Sequence, residues 1–255
     1  MRRALVMALV VLSACCVLSI ARATDISGTT LDELKARSIA DPATIKVAIL
    51  HFYDPKGVDR HVRVATIAVA LNLMRCGFQF TPELKRESLD SFSKGDAENL
   101  ARVLMQDQAA VAADKEVAPD ESLRQADAVR IGRAIGADWV VYGEVVEMQA
   151  YRGGGGIKKG AANIKIKIVD LRSGESVLSR QGYDRGSGGG VSSFVVRKST
   201  ALERVICQRC VNETLADLCT ALPKHPHHPA DPPSEEQALA VGDAWNTLSP
   251  PKSEG

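Results

Sequence analysis

Residues Ile164 to Leu171 read IKIKIVDL, with Ile164, Ile166 and Ile168 alternating with Lys165 and Lys167. A period of two cannot wrap into an amphipathic helix. It places the isoleucines on one face of a strand and the lysines on the other. Arg172-Ser173-Gly174 then carries turn residues, and Glu175 to Gly182 reads as the antiparallel partner strand. Trp139 to Met148, WVVYGEVVEM, is a third strand. A chain with these three segments must build a sheet and cover one of its faces.

The covering elements precede and follow them. Thr44 to Phe52, TIKVAILHF, is apolar and β-branched and ends at Asp54-Pro55-Lys56-Gly57, which predicts a central strand covered on both faces. Arg60 to Cys76 predicts a helix with Val64, Ile67, Ala68, Leu71 and Met74 inside and Gly77 as its stop, and Phe78 to Thr81 a short second strand. Asp96 to Ala113 predicts a helix capped by Asp96, with Leu100, Leu104 and Val111 on its inner face. Pro119 opens another, with Leu123, Ala126, Val129 and Ile135 inward and Gly136 closing it. A last helix spans about Ser193 to Leu222, its apolar side marked by Leu202, Ile206, Leu215, Leu218 and Leu222. The order β-α-β-α-α-β-β-β-α is that of an α/β (α+β) domain with a single mixed sheet and packed helices, over residues 44–222. Residues 24–43 are a polar lead-in, helical from Leu31 to Ala40. Residues 223–255 hold seven prolines and predict a disordered tail, transiently helical at Ala238 to Leu248.

Residues 1–23 have a different character. Arg2 and Arg3 precede an apolar run from Ala4 to Ile20, and Ala21-Arg22-Ala23 follows, the order of a secretory signal peptide cut after Ala23. Leu12-Ser13-Ala14-Cys15 resembles a lipobox, which makes Cys15 a candidate lipidation site. Export permits disulfides, and Cys76, Cys207, Cys210 and Cys219 are the candidates. The whole chain carries +1, and loss of three signal arginines leaves −2, so there is no basic field for nucleic acid.

Two stretches stand out together: Ala128 to Met148, AVRIGRAIGADWVVYGEVVEM, and Ile164 to Ser179, IKIKIVDLRSGESVLS. A helix ending in GAD, a strand running VVYGEV and a later VD-x-x-x-GE hairpin resemble the CsgG-like family of bacterial envelope proteins. TIKVAILHF, a helix ending in CGF and LKRESLDSF fall in that family's order, so the resemblance spans about Thr44 to Leu222. The family includes the curli-secretion channel lipoprotein and outer-membrane lipoproteins that activate peptidoglycan synthases. The resemblance implies a domain similar to anticodon-binding domains. In the channel branch it implies long amphipathic hairpins that assemble into a membrane barrel. Here Tyr151 to Gly160 and Arg185 to Ser193 occupy those insertion points, and both read as short glycine-rich loops.

No residue set adds up to an active site. Gly153 to Gly156 with Lys158 and Lys159 lacks the order of a phosphate loop. Cys207 and Cys210 have thioredoxin or zinc spacing but fall mid-helix, and zinc would need a second pair. His225, His227 and His228 lie in the tail; His51 and His61 have no carboxylate or cysteine at ligand spacing. Asp138, Glu144 and Glu147 form no acid–base pair, and Asn212-Glu213-Thr214 is a sequon inside a helix. No cofactor and no metal are expected. The reading is a non-enzymatic exported protein of the periplasm or outer-membrane periphery, acting on an envelope protein partner and open to oligomerisation. A pore subunit of a curli-type secretion channel is the alternative.

Overall fold

The computed structural model describes residues 25–80, 84, 91–117, 123–152, 158–187, 199–223 and 233–249. The signal and Cys15, LKRESLDSF apart from Leu84, Ser91 and Phe92, Pro119, and the glycine runs 153–156 and 188–190 lie outside these residues, as do His225, His227 and His228.

Five strands form one mixed sheet: β1 (Asp25–Gly28), β2 (Val47–Tyr53), β3 (Trp139–Arg152), β4 (Lys158–Asp170) and β5 (Ser176–Ser187), in the spatial order β1-β5-β4-β3-β2. β2 runs parallel to β3, and the other neighbours are antiparallel. The helices are α1 (Leu31–Ala36), α2 (Asp59–Arg75), α3 (Lys94–Ala113), α4 (Gln125–Ala134), α5 (Ser199–Ala221) and α6 (Glu235–Leu248). The α/β class and the mixed sheet hold as the alternating segments predict.

The main core lies on one face. Ile164, Ile166 and Ile168 of β4 point into it with Val141 and Val145 of β3, beneath α2, α5 and the first half of α3. A smaller core lies on the opposite face at the β2–β3 side. There Ala48, Leu50, Val140 and Tyr142 meet Val111 of α3 and Ala128 and Ile131 of α4. The helix before β3 was expected to bury Ala126. It is phased differently: Ala126 is exposed, while Ala128, Ile131 and Gly132 are inside.

Several expectations about elements are corrected. β2 is an edge strand, although both its faces are covered. Its outer edge is satisfied without a further strand: Val47 N–H donates to the Gln79 carbonyl at 3.0 Å, and Ile49 N–H to the Asp107 carboxylate at 2.9 Å. Phe78 to Thr81 accordingly contributes one bridge, Lys46 to Gln79, rather than a strand. The polar lead-in contains β1, which closes the other edge against β5. The cap of α3 is Ser93, with Asp96 at the third helical position bonding back to it in a reciprocal capping box.

Residues 235–248 of the expected disordered tail form α6, which lies on α2 and α3 and buries Val241 and Trp245. Prolines flank this segment, but its interior is free of them and carries a docked apolar stripe. The strands also run further into both glycine-rich segments than expected: β3 reaches Arg152, β4 begins at Lys158 and β5 reaches Ser187. Glycine serves α5 here. A Cβ at Gly160 would strike Ile206, and one at Gly182 would strike Thr214, so the missing side chains let the helix lie close on the strands.

Candidate functional site

Among the described residues, no helix lies on the lysine face of β4. α4 covers the β2–β3 end of that side of the sheet, up to Tyr142. Beyond that, cross-strand register sets side chains on one open polar face. Glu144 stands opposite Lys165, Glu147 opposite Asn163 and Tyr151 opposite Lys159. On the far side, Lys167 faces Ser179, Lys165 faces Gln181, Asn163 faces Tyr183 and Ala161 faces Arg185. A register shift between Val145 and Glu147 keeps Glu147, Gln149 and Tyr151 on this face after the bulge.

The face is ordered by its own contacts. Lys165 pairs with Glu144 at 3.1 Å, and Lys167 sits 5.9 Å from the Tyr142 ring centre. Gln181 donates to Asn163 at 2.8 Å. Arg185 donates to the Tyr151 hydroxyl at 2.9 Å and lies over its ring, and Gln149 bonds to Glu147. A shallow depression of about 250 Å³ is lined by Glu147, Gln149, Tyr151, Ala161, Tyr183 and Arg185. Across β3, β4 and β5 the cations Lys159, Lys165, Lys167 and Arg185 outnumber Glu144 and Glu147. Aromatic rings beside cations on a rigid sheet suit contact with a protein surface of negative charge. Tyr183 and Arg185 were not singled out from sequence. The signal was the continued alternation Gln181, Tyr183, Arg185, hidden by Asp184, an acid on the inner face. Asp184 is buried and ion-paired to Arg209 of α5 at 2.6 Å.

The candidate acids are dispersed. Asp138 accepts from the Lys46 N–H at 3.0 Å and pairs with Arg172 at 3.1 Å, which ties the start of β3 to the hairpin turn. Glu144 and Glu147 lie on the open face, each with its own partner. His51 contacts Gln108 at 3.3 Å, and burial lowers its pKa. His61 was read as lacking a carboxylate, and the structure corrects this. Its Nδ1 lies 2.9 Å from Asp54, and its Nε2 lies 4.0 Å from Glu203, which also pairs with Arg60 at 2.7 Å. Asp54 lies seven positions away, across the β2–α2 turn, whereas Glu203 arrives from α5, 142 positions away and beyond any local spacing. Its signature is an acid on the same helical stripe as Cys207 and Cys210. Asp54, His61 and Glu203 are all buried, and the cluster fastens the β2–α2 turn to α5.

Of the four cysteines, Cys76 and Cys219 form a disulfide joining the end of α2 to α5, and Cys207 and Cys210 are free and buried. Burial pushes the Cys210 thiol up to about 12 and the Cys207 thiol well above its ordinary range. Neither supplies a thiolate at neutral pH. Asn212 of the sequon accepts hydrogen bonds from Asn72 and Gln208 inside the fold.

Residues 86–182 match the family model described as peptidoglycan-synthase activator LpoB. The match covers less than half of the chain, and it includes α3, α4 and the β3–β4 hairpin. It bears out the resemblance to CsgG-like envelope proteins carried by the GAD helix and the VD-x-x-x-GE hairpin. No curated protein sequence matches the chain. Among solved structures, a PelC dodecamer from Paraburkholderia phytofirmans is similar at 13% identity and TM-score 0.43, over 79% of this chain and 100% of that one. The lipoprotein GNA1162 from Neisseria meningitidis is similar at 16% identity and TM-score 0.38, over 68% of this chain and 99% of that one. The LpoB C-terminal domain from Salmonella enterica is similar at 12% identity and TM-score 0.27, over 60% and 90%.

Proposed function

We infer that this chain, carrying a segment of the peptidoglycan-synthase activator family at residues 86–182, is an exported envelope protein that acts by contact on a cell-wall synthase and catalyses nothing itself. The observation that carries the reading is the open cationic face of β3, β4 and β5. The family match spans β3, β4 and most of that face. A surface with aromatic anchors and an excess of positive charge recognises an acidic patch on a folded partner, and charge complementarity speeds and orients the encounter. The buried groups support this division of labour. His61, Asp54, Glu203, Cys207 and Cys210 are spent on holding helices to the sheet, not on presenting a reactive atom. The N-terminal basic-apolar-AxA order supports export to the periplasm, with residence at the outer-membrane periphery if Cys15 is acylated.

The test is a glycan-polymerisation assay with the peptidoglycan synthase of the same organism, with and without this protein. The reading requires a faster rate in its presence. A rate unchanged at saturating protein would contradict it.

A further inference from the structure

Four cysteines follow Ala23, in the order Cys76, Cys207, Cys210, Cys219, and the native bridge joins the first to the last. It spans 143 positions, and α3, α4 and β3 to β5 all lie inside that loop. Cys76 caps the end of α2, and Cys219 lies near the end of α5. The two helices meet on one face of the sheet. That sheet is built largely from the chain between the two cysteines. α5 therefore has no seat beside α2 until β3 to β5 have paired, a contact of high sequence separation that forms late. Until then Cys76 is an unprotected thiol, and Cys207 and Cys210 follow it in the chain ahead of Cys219.

Helix geometry makes the other pairings incompatible with the fold. Cys207 and Cys210 stand twelve and nine positions before Cys219 on α5. At about 1.5 Å per residue they lie about 18 and about 14 Å from it. The Cα atoms of Cys76 and Cys219 are 5.0 Å apart. Cys207 is then at least about 13 Å, and Cys210 at least about 8 Å, from Cys76. A disulfide reaches no further than about 7 Å between Cα atoms. A chain bridged from Cys76 to either one cannot place α5 on α2.

The finished domain offers no means of exchange. Cys207 and Cys210 are fully buried, and Cys76 and Cys219 are 2% and 6% exposed. Cys210 Sγ donates to the Gly182 carbonyl at 3.2 Å, and burial keeps both free thiols protonated at neutral pH. Any exchange has to come before α5 is buried.

We propose that this protein is a client of a disulfide isomerase, a dithiol enzyme of the compartment it enters, and that oxidation alone leaves it mispaired. The inference rests on the export half of the functional reading, which supplies an oxidising compartment. There an oxidase disulfide takes two electrons and two protons from Cys76 and Cys207, or from Cys76 and Cys210, and becomes a dithiol. The isomerase thiolate attacks Cys76 Sγ, breaks the wrong bridge and releases the Cys207 or Cys210 thiolate, which takes up a proton. Cys219 gives up its proton, attacks the same Cys76 Sγ and expels the isomerase thiolate. One S–S bond replaces another, with no net gain or loss of electrons.

The test produces the full chain, signal included, in a bacterial host with and without its periplasmic disulfide isomerase. Free thiols are blocked with iodoacetamide at lysis, and pairings are read by non-reducing peptide mapping. The Cys76–Cys219 peptide should dominate with the isomerase present. Without it, the yield of that peptide should fall at least about threefold, with Cys76–Cys207 and Cys76–Cys210 in its place. The double variant Cys207→Ala, Cys210→Ala has no wrong partner and should give equal yields in both hosts. A second measurement does not depend on that variant folding. Mispaired parent protein treated with catalytic protein disulfide isomerase should convert to the Cys76–Cys219 form with no change in thiol count. Equal yields of the native pair from the parent in both hosts, or no conversion by the isomerase, overturns the proposal and leaves the export reading standing. Four alkylated cysteines in both hosts overturns the export reading, and the proposal with it.

Discussion

The two faces of β4 share one backbone and have opposite duties. Ile164, Ile166 and Ile168 are fully buried in the main core beneath α5, whereas Lys165 and Lys167 stand on a surface that no helix covers among the described residues. The contrast separates what holds the domain together from what is left to meet something else. Helices are packed where the strands present branched apolar residues. Among the described residues, they stop beyond Tyr142, where lysine, glutamate and glutamine take over the face.

Reversing the character of the inner face should have the largest effect. Ile166→Asp places an unpaired carboxylate among Val141, Val145 and the α5 side chains, and the domain should fail to fold, as read by loss of the cooperative thermal transition. Lys167→Glu, one residue away, should change stability by no more than about 0.5 kcal/mol. Equal effects at the two positions would break the distinction between faces.

A smaller loss is expected at α6. Trp245→Ala empties a buried site where this helix meets the main core and should cost about 3 kcal/mol in chemical denaturation. An unchanged midpoint would return residues 235–248 to the status of a dispensable tail.

The edge of β2 gives an effect of opposite sign. Burial raises the Asp107 carboxyl to about 7, against hydrogen bonding from Ile49 and the charge of Lys46, which lower it. A folded-state pKa above the unfolded one means that the folded state holds the proton more tightly. The resulting stability is full below about pH 4 and is lost as pH rises through 7. Asp107→Asn keeps an acceptor for the Ile49 N–H and removes the buried charge. The variant should be more stable than the parent at pH 8, by about 1–3 kcal/mol, with the gap closing towards pH 4. A variant less stable at pH 8 would show that the ionised carboxylate is needed to hold the edge.

The comparison also shows how much was legible in the residues. IKIKIVDL declared both faces of β4 because strict alternation has one geometric solution. The apolar stripe of α5 was equally readable, and Leu202, Ile206, Leu215 and Leu218 are all buried. What escaped was set by partners distant in sequence. Asp107 occupies the helical stripe of Leu100, Leu104 and Val111, so a lone acid on an apolar face marked it, but only tertiary structure could supply the β2 edge it caps. The same holds for Glu203, which meets His61 from α5, and for β1, whose four residues DISG lack any apolar pattern and gain their hydrogen bonds from β5. Tyr151 and Arg185 were assigned to flexible loops because glycine dominates their neighbourhoods. Gly160 and Gly182, within the strands themselves, instead let α5 approach.

The open face is the centre of the account, and synthase stimulation measured with matched charge reversals tests it most directly. Lys165→Glu, Lys167→Glu and Arg185→Glu combined should abolish the rate increase while the melting transition stays intact. Lys35→Glu on α1, away from the face, should leave the increase unchanged. Full stimulation by the triple variant would contradict the assignment of this face as the partner surface.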